Sequence, residues 1–159
     1  IHTTRDGLAI DNFLVQDPLG RPFAEAAQLA RLRQAIADAL ANRTALAERL
    51  VARPLARTRA EAFRVEPSVL IDNRASNRFT VIEINAQDRP ALLNRLAYAL
   101  FQSKVTLHSA HVATYGERAV DTFYVTDLLG TKIENRTRLK ALEKRLLEEQ
   151  AGALEGGRP

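Results

Sequence analysis

The chain has 159 residues, 46% hydrophobic, 26% charged and 6% aromatic, a composition that suits one or two soluble domains with an apolar core. No apolar run approaches the roughly 18 residues of a membrane span, and zero cysteine excludes disulfides, thiolate metal sites and thiol nucleophiles. The net charge is +4, and 19 of the 23 cations are arginine.

Zero methionine and an opening at Ile1, within strand-like sequence, lead us to expect a piece of a longer protein. Thr3 to Gly20 reads as extended segments, followed by a helix over about 23–40 with an extension over 44–52. Arg43, Arg49, Arg53, Arg57, Arg59 and Arg64 then form a basic stretch. It reads either as a phosphate-binding strip or as a solvated face, and aromatic residues that would stack bases are sparse, since Phe63 stands alone there. Ala62 to Val65 and Ser68 to Ile71 are short extended candidates, and Asn73 to Asn77 reads as polar linker.

Arg78 to Asn85 is β-branched and aromatic, the pattern of a strand. Asp88 is the expected cap of a helix that begins near Pro90, with Leu92, Leu93, Leu96, Ala97, Leu100 and Phe101 as its apolar stripe. Val105 to Tyr115 and Arg118 to Asp127 read as strands joined by a turn at Gly116-Glu117. Ala119, Asp121, Phe123 and Val125 share a face of the second strand. Asn135 can cap a last helix running to about Glu149, with Leu139, Leu142, Leu146 and Leu147 inward. The order β-α-β-β-α is the α+β, ferredoxin-like βαββαβ arrangement awaiting a fourth strand. The first half of the chain is a candidate source of that strand for its own unit.

An internal repeat organises the chain. Thr3 to Gly20 aligns without gaps on Ala113 to Gly130 at an offset of 110, and Asp-x-Phe-x-Val-x-Asp-x-x-Gly recurs whole. The counterpart of Arg78 falls at −32, so the first unit lacks about its first half. The expected division is 1–66 for this partial unit with its arginine-rich extension, 67–77 for a linker, 78–150 for the nearly complete unit and 151–159 for a flexible tail.

No catalytic constellation appears. His108 and His111 are expected on opposite faces of one strand, which would keep them from sharing a metal. Asp121 and Asp127 are about 20 Å apart along an extended strand, too far for paired acid–base work. Read alone, the chain looks non-enzymatic and needs no cofactor. The best candidate site is the strand-to-helix loop Asn85 to Leu92. A helix N-terminus suits a carboxylate and Asp88 can meet an ammonium, so a free amino acid fits; the bland alternative is that Asp88 is only a cap.

At this loop the sequence becomes recognisable. VIEINAQDRPALLNRLAYALFQ followed by LHSAHVATYGERAVDTFYVTDLLG resembles the last ACT domain of the bifunctional PII uridylyltransferase/uridylyl-removing enzymes, bacterial nitrogen sensors with two C-terminal ACT domains. The Val69 to Thr80 approach and the repeated first-unit motif resemble that family as well. The resemblance implies a tandem ACT region, one unit nearly complete and one truncated. It implies glutamine as effector, bound around Asn85, Asp88, Arg89, Pro90, Ala91, Leu92 and Leu93, with His108 and Ala110 beside them. Nucleotidyltransferase and HD phosphohydrolase domains lying outside this chain would use Mg2+ and act on the PII protein. Association through ACT sheets and a cytoplasmic location are implied too, with no nucleic acid or membrane as partner. The family usually has glycine where this chain has Ala91, and the added methyl narrows the ligand's approach to the helix backbone. Two other classes remain: a structural module that pairs sheets without ligand, and a ferredoxin-like RNA binder suggested by the positive charge and Phe123-Tyr124. The second lacks the spaced aromatics and glycine of the RNA-recognition strand.

Overall fold

The computed structural model describes residues 2–4, 6, 8–17, 19–22, 24–41 and 65–151. The basic stretch from Arg43 to Arg64 and the tail 152–159 lie outside the described residues. Among those described, no helix is long and apolar enough to cross a membrane. The chain resolves into two compact units: Ile1–Asp11 with Arg57–Pro159, and Asn12–Ala56.

The larger unit is α+β. Its strands are β1 (His2–Thr3), β2 (Ala9–Ile10), β3 (Ser68–Asp72), β4 (Thr80–Gln87), β5 (Val105–Tyr115) and β6 (Arg118–Asp127). They form one antiparallel sheet in the order β2-β1-β5-β6-β4-β3. Helices α2 (Leu92–Gln102) and α3 (Arg136–Ala151) complete the unit; α1 (Ala26–Leu40) belongs to the smaller one. This architecture is compatible with a ferredoxin-like ACT fold.

Alternation explains the core. Ile82, Ile84 and Ala86 of β4 and Ala119, Phe123 and Val125 of β6 point to the helix-covered face and are buried. The helices answer with Leu92, Leu96, Ala99 and Leu100 from α2 and Leu142 and Leu146 from α3. The α2 stripe thus runs through Ala99, whereas Leu93, Ala97 and Phe101, expected inside, are exposed. A period of 3.6 lets only part of so broad a stripe touch the sheet, and Phe101 stacks on Tyr98 outside at 6.5 Å. Asn135 caps α3 as expected, its Oδ1 accepting the Arg138 N–H at 2.9 Å.

The expected linker 67–77 includes the extended candidate Ser68 to Ile71. It contains β3, which pairs along its length with β4, Val69 opposite Ile84 and Ile71 opposite Ile82. A strand from before β4 therefore occupies the sheet edge beside it, and Val69 and Ile71 pack against the core. Asn73 makes the connection rigid. Its Oδ1 accepts the buried Thr80 hydroxyl at 2.7 Å and its Nδ2 donates to the Ile133 carbonyl at 2.9 Å. The Ile133 N–H returns to Thr80 Oγ1 at 2.9 Å, so the approaches to β4 and α3 are fastened together.

The repeat has a physical counterpart in each unit. Asp127 Oδ1 accepts the Leu129 and Thr131 N–H groups at 2.9 Å, and its Oδ2 accepts the Thr131 hydroxyl at 3.0 Å. Asp17 Oδ1 accepts the Leu19 and Arg21 N–H groups at 2.9 Å, and its Oδ2 accepts the Arg21 Nε–H at 2.9 Å. Gly20 and Gly130 both stand at positive φ, 76° and 82°, which their glycine identity makes inexpensive. The shared Asp-x-x-Gly letters therefore encode one turn used twice. The backbone N–H donors at residues 21 and 131 hold both carboxyls below the ordinary carboxylate range.

Candidate functional site

Asn85 to Leu92 carries the chain from β4 into α2. Asn85 lies opposite Val120 and accepts the Arg118 guanidinium at 2.5 and 3.1 Å. Gln87 Nε2 donates to Glu117 at 3.0 Å, and its Oε1 accepts the Val65 N–H at 3.1 Å. The Asp88 N–H bonds the Glu117 carbonyl at 2.7 Å, which pins the loop to the β5–β6 turn. The Asp88 side chain is exposed.

Asp88 does not cap the helix. The cap position is Ala91, three residues on, with φ 65° and ψ 6°, and no side chain caps α2 there. Pro90 is the reason: it disfavours the α conformation at Arg89, so the chain turns at Pro90-Ala91 before Leu92 can begin the helix. A left-handed alanine costs about 1 kcal/mol more than glycine in this conformation. Ala91→Gly is therefore expected to raise stability by about 1 kcal/mol in urea unfolding. An unchanged or lower midpoint would show that the strain is absent.

Arg89 ties the loop to the end of α3. Its Nη2 donates to the Glu149 carbonyl at 2.7 Å and also to the Gln150 carbonyl, closing the C-terminal end of α3. Burial, reinforced by nearby Arg95, lowers its pKa. Arg89 is thus a positioning residue that holds the loop against α3. Leu92 is core at 3% exposure, while Leu93 is partly exposed at 39%.

The sequence placed Asp121 in one row with Ala119, Phe123 and Val125 and set it too far from Asp127 for paired acid–base work. The structure gives it more weight. It is 2% exposed, opposite Ile84 on β4 and Val112 on β5, and its Oδ1 has no hydrogen-bond partner. Burial pushes its carboxyl up to about 6, the Ala113 N–H works against that shift, and the Asp88 charge adds to it. An aspartate in an otherwise apolar row (Ala119, Phe123, Val125) is the signal by which the sequence could have revealed it.

The structure does not bring His108 and Ala110 to this loop within the chain. Ala110 is core, opposite Phe123. His108 lies toward the other end of β5, its Nε2 2.9 Å from Thr126 Oγ1. The expectation that His108 and His111 occupy opposite faces is overturned. A bulge between Leu107 and Ser109 inserts one unpaired residue and resets the alternation. His108 packs on Phe79 at 4.9 Å, Phe79 on Tyr124 at 6.2 Å, and Tyr124 on His111 at 5.9 Å, one chain of rings on one side of the sheet. The Phe79 and Tyr124 rings stand between the imidazoles. Among the described residues, no three His, Asp or Glu side chains gather as a metal site requires. Phe123 is buried at 1%, which removes it from any base-stacking role.

Fold and loop together define an α+β unit compatible with an ACT domain, with a polar loop at the head of its first core helix. The chain is 70% identical over 148 residues to the bifunctional uridylyltransferase/uridylyl-removing enzyme of Novosphingobium aromaticivorans, covering 93% of this chain and 16% of that enzyme. It is 61% identical to the same enzyme of Erythrobacter litoralis over 96% of the chain and 17% of the enzyme. The Bradyrhizobium diazoefficiens enzyme is 43% identical over 96% of the chain and 16% of its own length. The chain is similar to the bifunctional uridylyltransferase/uridylyl-removing enzymes and spans about one sixth of their length. No family model matches it, and no solved structure does.

Proposed function

We propose that the chain is the regulatory, amino-acid-sensing ACT region of an enzyme that uridylylates and deuridylylates the PII protein, with glutamine as its effector. The observation that carries this reading is the Asn85–Leu92 loop, set in a chain 43–70% identical to enzymes named for those two activities. The head of α2 supplies backbone N–H groups and partial positive charge for the ligand's carboxylate, and Asp88 supplies negative charge for its ammonium. Catalysis, Mg2+ and contact with PII belong in this reading to domains outside the chain, in a cytoplasmic enzyme.

The tandem arrangement rests on the repeated aspartate turn and on the sheet. β1 and β2 correspond, at the offset of 110, to parts of β5 and β6, and the order β2-β1-β5-β6 is palindromic. Like strands meet at the middle, as in two ACT sheets joined edge to edge. Phe13 and Val15 are 63% and 49% exposed, while their counterparts Phe123 and Val125 are 1% and 0% exposed. The palindromic join also favours a purely associative role as the second reading. A thermal-shift series decides between them: millimolar glutamine should raise the melting temperature while alanine and glutamate should not. No shift and no binding heat with glutamine would sink the sensing role.

A further inference from the structure

One nitrogen fastens together parts of the chain that lie 60 residues apart. Arg89 stands in the turn that leads into α2, where its carbonyl accepts the Leu92 N–H at 3.2 Å. Its Nη2 reaches α3 and donates to the Glu149 carbonyl at 2.7 Å and to the Gln150 carbonyl. Carbonyls in the last turn of a helix have no partner within it, so this grip closes the end of α3. Both forked edges of a guanidinium contain Nη2, one with Nε and the other with Nη1. Arg118 shows such an edge at Asn85, where its Nε and Nη2 meet Oδ1 together. A carboxylate that takes Arg89 by a fork must therefore draw Nη2 away from α3. Bonds from a guanidinium to a carboxylate are stronger than those to neutral carbonyls, so the exchange is favourable. The end of α3 is also ready to loosen. Gln150 is 5% exposed and neither polar atom of its side chain has a partner, so freeing the turn gives that amide water in return.

We infer that Arg89 is a switch between two acceptors. Without ligand it fastens the last turn of α3; with an amino acid at the head of α2 it turns to the ligand's carboxylate and frees that turn. This rests on the amino-acid-sensing reading and adds to it the path by which occupancy of the loop reaches another element. No proton moves and no covalent bond changes. The opposite end of the helix pair supplies an internal control. There Arg138 Nη2 closes α2 in the same manner, donating to the Lys104 carbonyl at 2.7 Å, but no candidate loop adjoins it.

Calorimetry with L-glutamine, followed by amide hydrogen exchange on the full chain with and without it, tests the switch. In wild type, bound glutamine should speed exchange at Leu147 to Gln150 about fivefold or more and leave Phe101 to Ser103 unchanged. In Arg89→Met the last turn of α3 should exchange fast whether or not glutamine is present. Glutamine binding with unchanged or slower exchange at α3, or with equal changes at both helix ends, overturns the switch alone. So does a wild-type response in Arg89→Met. Failure of wild type to bind glutamine overturns the sensing reading and the switch with it. Should the variant not fold, the two helix ends of wild type still decide.

Discussion

Asp121→Asn should stabilise the chain at pH 7 and leave it nearly unchanged at pH 4. In the folded chain the Asp121 carboxyl sits at about 6, against an ordinary value of 3.8. Between those values the folded state holds a proton that the unfolded state has lost, so stability falls as pH rises through this window. Below pH 3.8 both states are protonated and the residue's contribution is complete; above 6 the full cost of the buried charge is present. A shift of this size corresponds to about 3 kcal/mol. Asparagine keeps the shape without the charge, so the variant escapes that loss. Asp17 and Asp127, held low chiefly by backbone N–H donors, trend oppositely and lose stability as pH falls through their depressed values. They are common to both proteins and cancel in the difference. Urea unfolding from pH 4 to 7 measures it: a gap opening toward pH 7 is expected, and a constant gap would mean that Asp121 is not buried as a charge.

The second large effect contrasts two phenylalanines at equivalent positions of the repeat. Phe123→Ala should cost about 3–5 kcal/mol, because the ring is 1% exposed and packed among β4, α2 and α3 residues. Phe13→Ala should cost less than about 0.5 kcal/mol in this chain, since its ring is 63% exposed. The repeat gives both residues equivalent positions, so any inequality measures the difference in how the two rings are surrounded. Equal costs in the present chain would show that the first unit's apolar row is already buried in solution.

Much of this was legible in the residues. The strands 105–115 and 118–127, the cap at Asn135 and the Asp-x-x-Gly turn follow from alternation, capping chemistry and the repeat. Where the reading failed, a local exception had overruled a periodic rule. One unpaired residue at His108 shifts every later side chain of β5 by a face, and no residue type announces a bulge. Pro90 moved the start of α2 three residues beyond the attractive cap at Asp88. Ser68 to Ile71 read as a short extended candidate, but its pairing with β4 was not legible, because a strand's partner is not written in its own composition. The candidate loop was found from helix-end chemistry alone. Asp121 was not, since burial without a partner is a property of the assembled core.

The most direct test of the account is glutamine titration followed by backbone amide resonances. The account expects saturable shifts at the head of α2, Leu92 to Asn94, together with Asp88. Shifts confined to the ring-lined side of the sheet around His108 and Tyr124, or none at millimolar glutamine, would contradict it.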